Sequence, residues 1–149
     1  MNTNKVTFVF LSDRKKRIEG DDPYAKEFFY AYHYIKENYK NEEIICVFQP
    51  HRISRLRNLK KEFSLSFKKA DKVILCPVYS AGEKIKYNFN QNDFAKLISK
   101  KSKVQVINIS NQKDLKNYFK KNLVEDEVVI CMGAGSISSW VREIGEELK

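Results

Sequence analysis

The sequence predicts a three-layer α/β domain built on a mostly parallel sheet of about six strands. Two observations carry the expectation. Short β-rich runs alternate with longer stretches of helical period along the whole chain, the pattern of strands joined by crossover helices. The runs Ile44 to Phe48 and Val128 to Met132 are apolar throughout rather than alternating, as expected for strands buried on both faces. With 149 residues, 42% of them hydrophobic, the chain can bury one good core, so a single domain over 1–149 is expected.

The elements follow in order. Val6 to Leu11 reads as the first strand. Residues 12–21, which include Arg14, Lys15, Lys16 and Arg17, have no apolar period and read as a basic surface loop. Asp22 and Pro23 form a helix start, because the carboxylate can cap free amides and proline is tolerated in the first turn. Tyr24, Phe28, Ala31, Tyr32 and Ile35 then make one apolar face.

Ile44 to Phe48 is the second strand, stopped by Gln49 and Pro50. A helix over about Ser54 to Lys69 leads to a strand over Lys72 to Pro77 and a loop over Val78 to Lys86. A helix near Asn92 to Lys100, a strand Val104 to Ile109, a helix Gln112 to Lys121 and a strand Val128 to Met132 complete the alternation, and Gly133-Ala134-Gly135 feeds a last helix.

Composition bounds the function. No apolar run is long enough to span a bilayer and none has the layout of a signal peptide, so a soluble, cytoplasmic protein without membrane contact is expected. Cys46, Cys76 and Cys131 each lie inside an apolar run at spacings that fit neither a disulfide framework nor a zinc site, and they read as buried thiols. The formal charge of +9 would suit nucleic acid, an anionic surface or a phosphorylated small molecule. Most of the excess is lysine scattered over helix surfaces without interleaved aromatics, which argues against nucleic acid.

Three loops open from the carboxyl ends of strands, where ligands bind in open α/β sheets. In Phe48-Gln49-Pro50-His51-Arg52-Ile53-Ser54-Arg55 one histidine and two arginines surround a helix start, with Arg52 and Arg55 three apart and so expected on one helical face. Guanidinium forks take carboxylates and phosphates in a bidentate way, so the pair suits an anionic group. Val78 to Glu83 places Ala81-Gly82-Glu83 at a loop centre. Gly133-Ala134-Gly135 allows close backbone approach, but Ser138 stands where a dinucleotide fingerprint needs its last glycine.

These three segments carry a resemblance. FQPHRISR is similar to the FQPHR-x-[ST]-R stretch of the UDP-N-acetylmuramate:L-alanine ligases, VYSAGE to their VYPAGE or VYAAGE, and CMGAGSI to their MGAGDI. The match runs from about Ile44 to the C-terminus, in family order, and resembles the C-terminal domain of this branch of the Mur ligase family.

The resemblance implies a Rossmann-like domain that closes over a central ATPase domain. It implies substrate-binding roles for His51, Arg52 and Arg55, with Glu83, Gly133, Ala134 and Gly135 completing the cleft. Within the full ligase it implies ATP and Mg2+ as cofactors, UDP-N-acetylmuramate and L-alanine as substrates, and the remaining ligase domains as partners.

One departure stands out. The family's acidic stretch with tyrosine and two histidines, typically DDYAHHP, should follow the first strand, whereas this chain has Asp22-Pro23-Tyr24-Ala25 with Lys26 next. His33 lies well inside the helical run and is read as an ordinary helix histidine.

No G-x-x-x-x-G-K-[ST] phosphate loop is present, so the chain alone is expected to bind no cofactor or metal and to be inactive as a ligase. The alternative expectation is a free-standing, non-catalytic module of this family that binds small anions or another protein.

Overall fold

The computed structural model describes residues 6–11, 36–84, 88–133 and 135–148. The basic loop at 12–21, the helix expected from Asp22 to Ile35 and Ala134 lie outside the described residues.

The elements described are β1 (Thr7–Leu11), β2 (Ile44–Phe48), α1 (Ile53–Leu65), β3 (Lys72–Leu75), α2 (Gln91–Ser102), β4 (Gln105–Asn108), α3 (Gln112–Asn122), β5 (Val128–Met132) and α4 (Ile137–Glu147), strands and helices alternating from β2 onward. The strands form one sheet in the order β1-β5-β2-β3-β4 with every pairing parallel. The α/β expectation holds, with five strands among the described residues rather than about six.

Parallel strands need crossovers, and the helices that make them cover both faces of the sheet. On one face Phe48, Val73, Leu75 and Ile130 pack with Leu56 and Phe63 of α1 and with Phe94 and Ile98 of α2. On the other, Val47, Ile74 and Val129 pack with Leu115 and Phe119 of α3 and with Ile137, Val141 and Ile144 of α4. Every residue of β2 and β5 is buried, which accounts for their unbroken apolar sequences. The edge strand β4 is exposed or half-buried along its length.

Polar side chains fix where elements begin and end. Asp71 accepts the Ile44 N–H at 2.7 Å through its carboxylate and donates its own N–H to the Ile44 carbonyl at 2.9 Å, locking the register of β2 against β3. Asn90 and Asn111 cap α2 and α3 by accepting the amides of Asp93 and Asp114.

Helix α1 stops at Leu65, four residues before the end its sequence suggests. There the Ser64 and Ser66 hydroxyls bond back to the carbonyls of Lys61 and Glu62. The buried Ser102 hydroxyl draws the chain away from the helix by accepting the Phe67 N–H and donating to the Ser64 carbonyl.

All three cysteines are buried free thiols, as their apolar settings predict. Burial pushes the thiols of Cys76 and Cys131 up to about 12, the nearby Cys131 adding to the effect on Cys76. Iodoacetamide at pH 8 is therefore expected to leave both unlabelled in the folded protein and to label them once denaturant opens the core. Rapid labelling without denaturant, read by intact mass, would contradict that burial.

Candidate functional site

The loops after β2, β3 and β5 converge at the carboxyl edge of the sheet, because these three strands are neighbours. Past Phe48 and Leu75 the two chains stay paired. The Cys76 N–H donates to the Phe48 carbonyl at 2.9 Å, and the Tyr79 N–H to the Pro50 carbonyl at 2.8 Å. The Arg52 N–H then donates to the Tyr79 carbonyl at 2.8 Å, forming an isolated parallel bridge between His51 and Tyr79. Their rings stack with centroids 5.7 Å apart and planes 15° from parallel.

Arg52 is not on a helical face with Arg55. It occupies the N-cap position of α1 with φ 66° and ψ 132° and offers no capping bond from its side chain. Arg55 lies half-buried in the first turn. The first turn holds no acidic residue, so a compensating carboxylate comes from elsewhere.

Glu83 supplies it. One carboxylate oxygen accepts the Ser54 N–H at 3.2 Å and the other accepts the Ser54 hydroxyl in a short contact. The Ser54 hydroxyl bond is the main cause holding the Glu83 carboxyl below its ordinary value, helped by the amides of Ser54 and Ile53 and the charge of Arg52 against a partial desolvation cost. Glu83 arrives there through a turn in which Ala81 and Gly82 have φ of 52° and 82° and the Glu83 N–H donates to the Ser80 carbonyl at 3.1 Å. Positive φ at both central residues is the mark of a type I′ turn.

The glycine turn is held by Gln49, which is 3% exposed. Its N–H donates to the Met132 carbonyl at 2.9 Å, its Oε1 accepts the Ile137 N–H at 3.1 Å and its Nε2 donates to Ser136 Oγ at 3.2 Å. Gln49 thus caps α4 from across the sheet, a task that Ser136, at the N-cap, does not perform.

Gly133 and Gly135 owe their lack of a side chain to close approach. A Cβ on Gly133 would lie 2.9 Å from the Gln49 carbonyl oxygen and 2.8 Å from Ile137 Cγ2. A Cβ on Gly135 would lie 2.4 Å from Tyr79 Cγ and 2.8 Å from Gln49 Oε1. Gly135→Ala is therefore expected to displace the Tyr79 ring and to destabilise the fold by about 1–3 kcal/mol, the usual cost of overpacking. A thermal melt indistinguishable from the parent would show that the ring yields freely.

The structure thus gathers His51, Arg52, Arg55, Glu83, Gly133 and Gly135 around one edge. Three residues that sequence reasoning did not single out organise them: Gln49, Ser54 and Tyr79. Two of these sit inside FQPHRISR and the third inside VYSAGE, so the signal was present but assigned to the charged residues alone.

Comparison with known proteins gives the arrangement its context. No family model matches the sequence. The UDP-N-acetylmuramate–L-alanine ligase of Pelagibacter ubique is 57% identical over 112 residues, covering 75% of this chain and 24% of that protein. The ligase of the same name from Hydrogenobaculum is 33% identical over 141 residues, covering 93% of this chain and 30% of that protein. The chain therefore spans about a quarter to three-tenths of the length of these relatives.

Among solved structures, a UDP-N-acetylmuramate–alanine ligase from Thermotoga maritima superposes with a TM-score of 0.63 over 83% of this chain and 24% of that one, at 22% identity, which supports the fold. On sequence and fold together, the chain belongs to the Mur ligase family, with its similarity to the C-terminal domain of the UDP-N-acetylmuramate–L-alanine ligases.

Proposed function

We propose that residues 1–149 are a single domain that binds substrate at the C-terminal end of an ATP-dependent UDP-N-acetylmuramate:L-alanine ligase of peptidoglycan precursor synthesis, inactive without the UDP-binding and ATPase domains. The observation that carries this reading is the bridge between the FQPHRISR and VYSAGE segments, which sets His51 and Arg52 beside the first turn that holds Arg55. Arg52 and Arg55 bind a carboxylate or phosphate, His51 hydrogen-bonds and orients it, and Glu83 with Gly133, Ala134 and Gly135 completes the cleft.

Amide synthesis from a carboxylate and an amine needs an activated acyl group, which ATP and Mg2+ supply in such a ligase. This chain's described residues bring no three His, Cys, Asp or Glu side chains together. The amino ends of α1 and α4 are also already capped, by Glu83 and Gln49. On this reading ATP and Mg2+ are assigned to the ATPase domain. The part assigned to this chain is electrostatic: guanidinium groups offset negative charge at the reacting carboxylate and fix its orientation for the incoming amine. Among the described residues no helix is long and apolar enough to cross a membrane; the setting that goes with the proposed role is cytoplasmic.

The test is reconstitution. The UDP-binding and ATPase domains of a related ligase, joined to this chain, are expected to release phosphate from ATP only when UDP-N-acetylmuramate and L-alanine are both present. No release from a folded, assembled protein would favour the second reading, a non-catalytic anion-binding or protein-interaction module. Lys26, standing where the family has histidine, is the observation on that side.

A further inference from the structure

Arg52 carries an unusual backbone. Its φ of 66° with ψ of 132° falls in a region that residues with a Cβ rarely enter, and such a conformation persists only where its surroundings over-determine it. Hydrogen bonds on either side of its Cα do this. The Arg52 N–H is held by the Tyr79 carbonyl at 2.8 Å, and its carbonyl accepts the Leu56 N–H at 3.1 Å.

The second of these bonds exists only if α1 begins where it does. What fixes that beginning is Glu83, because the Arg52 side chain does not cap the helix and no acidic residue stands in its first turn. The Ala81-Gly82 turn, itself built on two positive φ angles, delivers the carboxylate to Ser54, two residues beyond Arg52.

We propose that Glu83 is a positioning residue: by capping α1 through Ser54 it holds Arg52 in its left-handed conformation, and so sets the direction in which the Arg52 side chain leaves the backbone, without touching substrate itself. The proposal rests on the reading above only for the identity of what Arg52 binds. A cap of merely structural value would stabilise α1 whatever the conformation of Arg52. A positioning cap is coupled to the strain at Arg52, and the coupling has a sign. Removing Glu83 loses the cap but lets Arg52 relax, so part of the loss is returned. With glycine at 52 there is no strain to return, and the whole loss appears.

The experiment is a double-mutant cycle on the 149-residue chain. Glu83→Ala is expected to lower Tm by about 2–4 °C more in an Arg52→Gly background than in the parent, the shift that releasing one strained residue sets. Ser54→Ala, which removes the hydroxyl donor from the same pair, gives a milder perturbation of the same sign if Glu83→Ala alone does not fold. Amide exchange at Ser54 is expected to quicken about fivefold in Glu83→Ala, and a crystal structure of that variant should show Arg52 with negative φ. In Glu83→Gln, which keeps an acceptor oxygen, φ is expected to stay positive.

Equal Tm losses in the two backgrounds, with φ still near 66° in Glu83→Ala, would overturn the proposal. Titration with inorganic phosphate separates it from the functional reading. A turned Arg52 with unchanged phosphate affinity upholds Glu83 as the holder of Arg52 and removes Arg52 from anion binding.

Discussion

Replacing Arg52 by alanine is expected to lower kcat/KM for ligation by roughly one to two orders of magnitude in the assembled ligase, while the chain keeps its fold. The size follows from losing one charge-assisted contact, about 1.5–3 kcal/mol. Retention of the fold follows from where Arg52 sits. It is exposed, it caps nothing with its side chain, and its backbone bonds to Tyr79 and Leu56 do not depend on the side chain. Alanine at a φ of 66° is also strained, so the substitution neither adds nor releases much backbone energy. Steady-state kinetics beside a thermal melt decide the matter: an unchanged kcat/KM with an unchanged melt would remove Arg52 from the proposed site.

The second large effect is on stability. Phe48 is fully buried at the end of β2, directly before the segment that carries His51 and Arg52, and its ring meets those of Phe63 and Phe67 at 5.4 and 5.3 Å. Phe48→Ala empties the space between β2 and the helix that bears Arg55. The expected cost is about 3–5 kcal/mol, a fall in Tm of roughly 6–20 °C for a chain of this size. Calorimetry would read it. A loss under 1 kcal/mol would mean that Phe63 and Phe67 collapse into the gap, and the rim above should then shift with them.

Much of this fold is legible in the sequence because parallel sheets are demanding. Ile44 to Phe48 and Val128 to Met132 have no polar residue to place, so they can only be central strands, and the structure puts them side by side. The ends of helices were harder to read. Ser64 and Ser66 look like neutral helix residues, and only the partner hydroxyl of Ser102, thirty-eight positions from Ser64, shows why α1 stops there. The five strands among the described residues are the five runs that the sequence displays, one fewer than the expected count of about six.

The site was legible at its charges and opaque at its supports. His51, Arg52 and Arg55 announce themselves as residue types suited to anions, and Glu83 as an acceptor. Gln49 does not, because an amide next to a proline reads as a strand stop, and its capping of Ile137 spans eighty-eight positions of sequence. Tyr79 was likewise hidden, since stacking on His51 follows only from the bridge between two loops that no local pattern connects. Residues that bind are chosen by chemistry, which sequence displays, whereas residues that support them are chosen by proximity.

The order of the sheet has a further consequence for how the chain comes to be. β5, the last of the described strands in chain order, lies between β1 and β2, which precede it, and in the described sheet it is the strand that β1 pairs with. Until residues 128–132 are in place, β1 has no neighbour to join, while β2, β3 and β4 can already associate. Such distant pairing is intrinsically slow, since a long loop must close before any contact rewards it. The same C-terminal stretch brings Gly133 and Gly135 against Gln49 and Tyr79. Completion of the described sheet and completion of the proposed cleft are therefore one event, and a chain cut short of β5 would have neither.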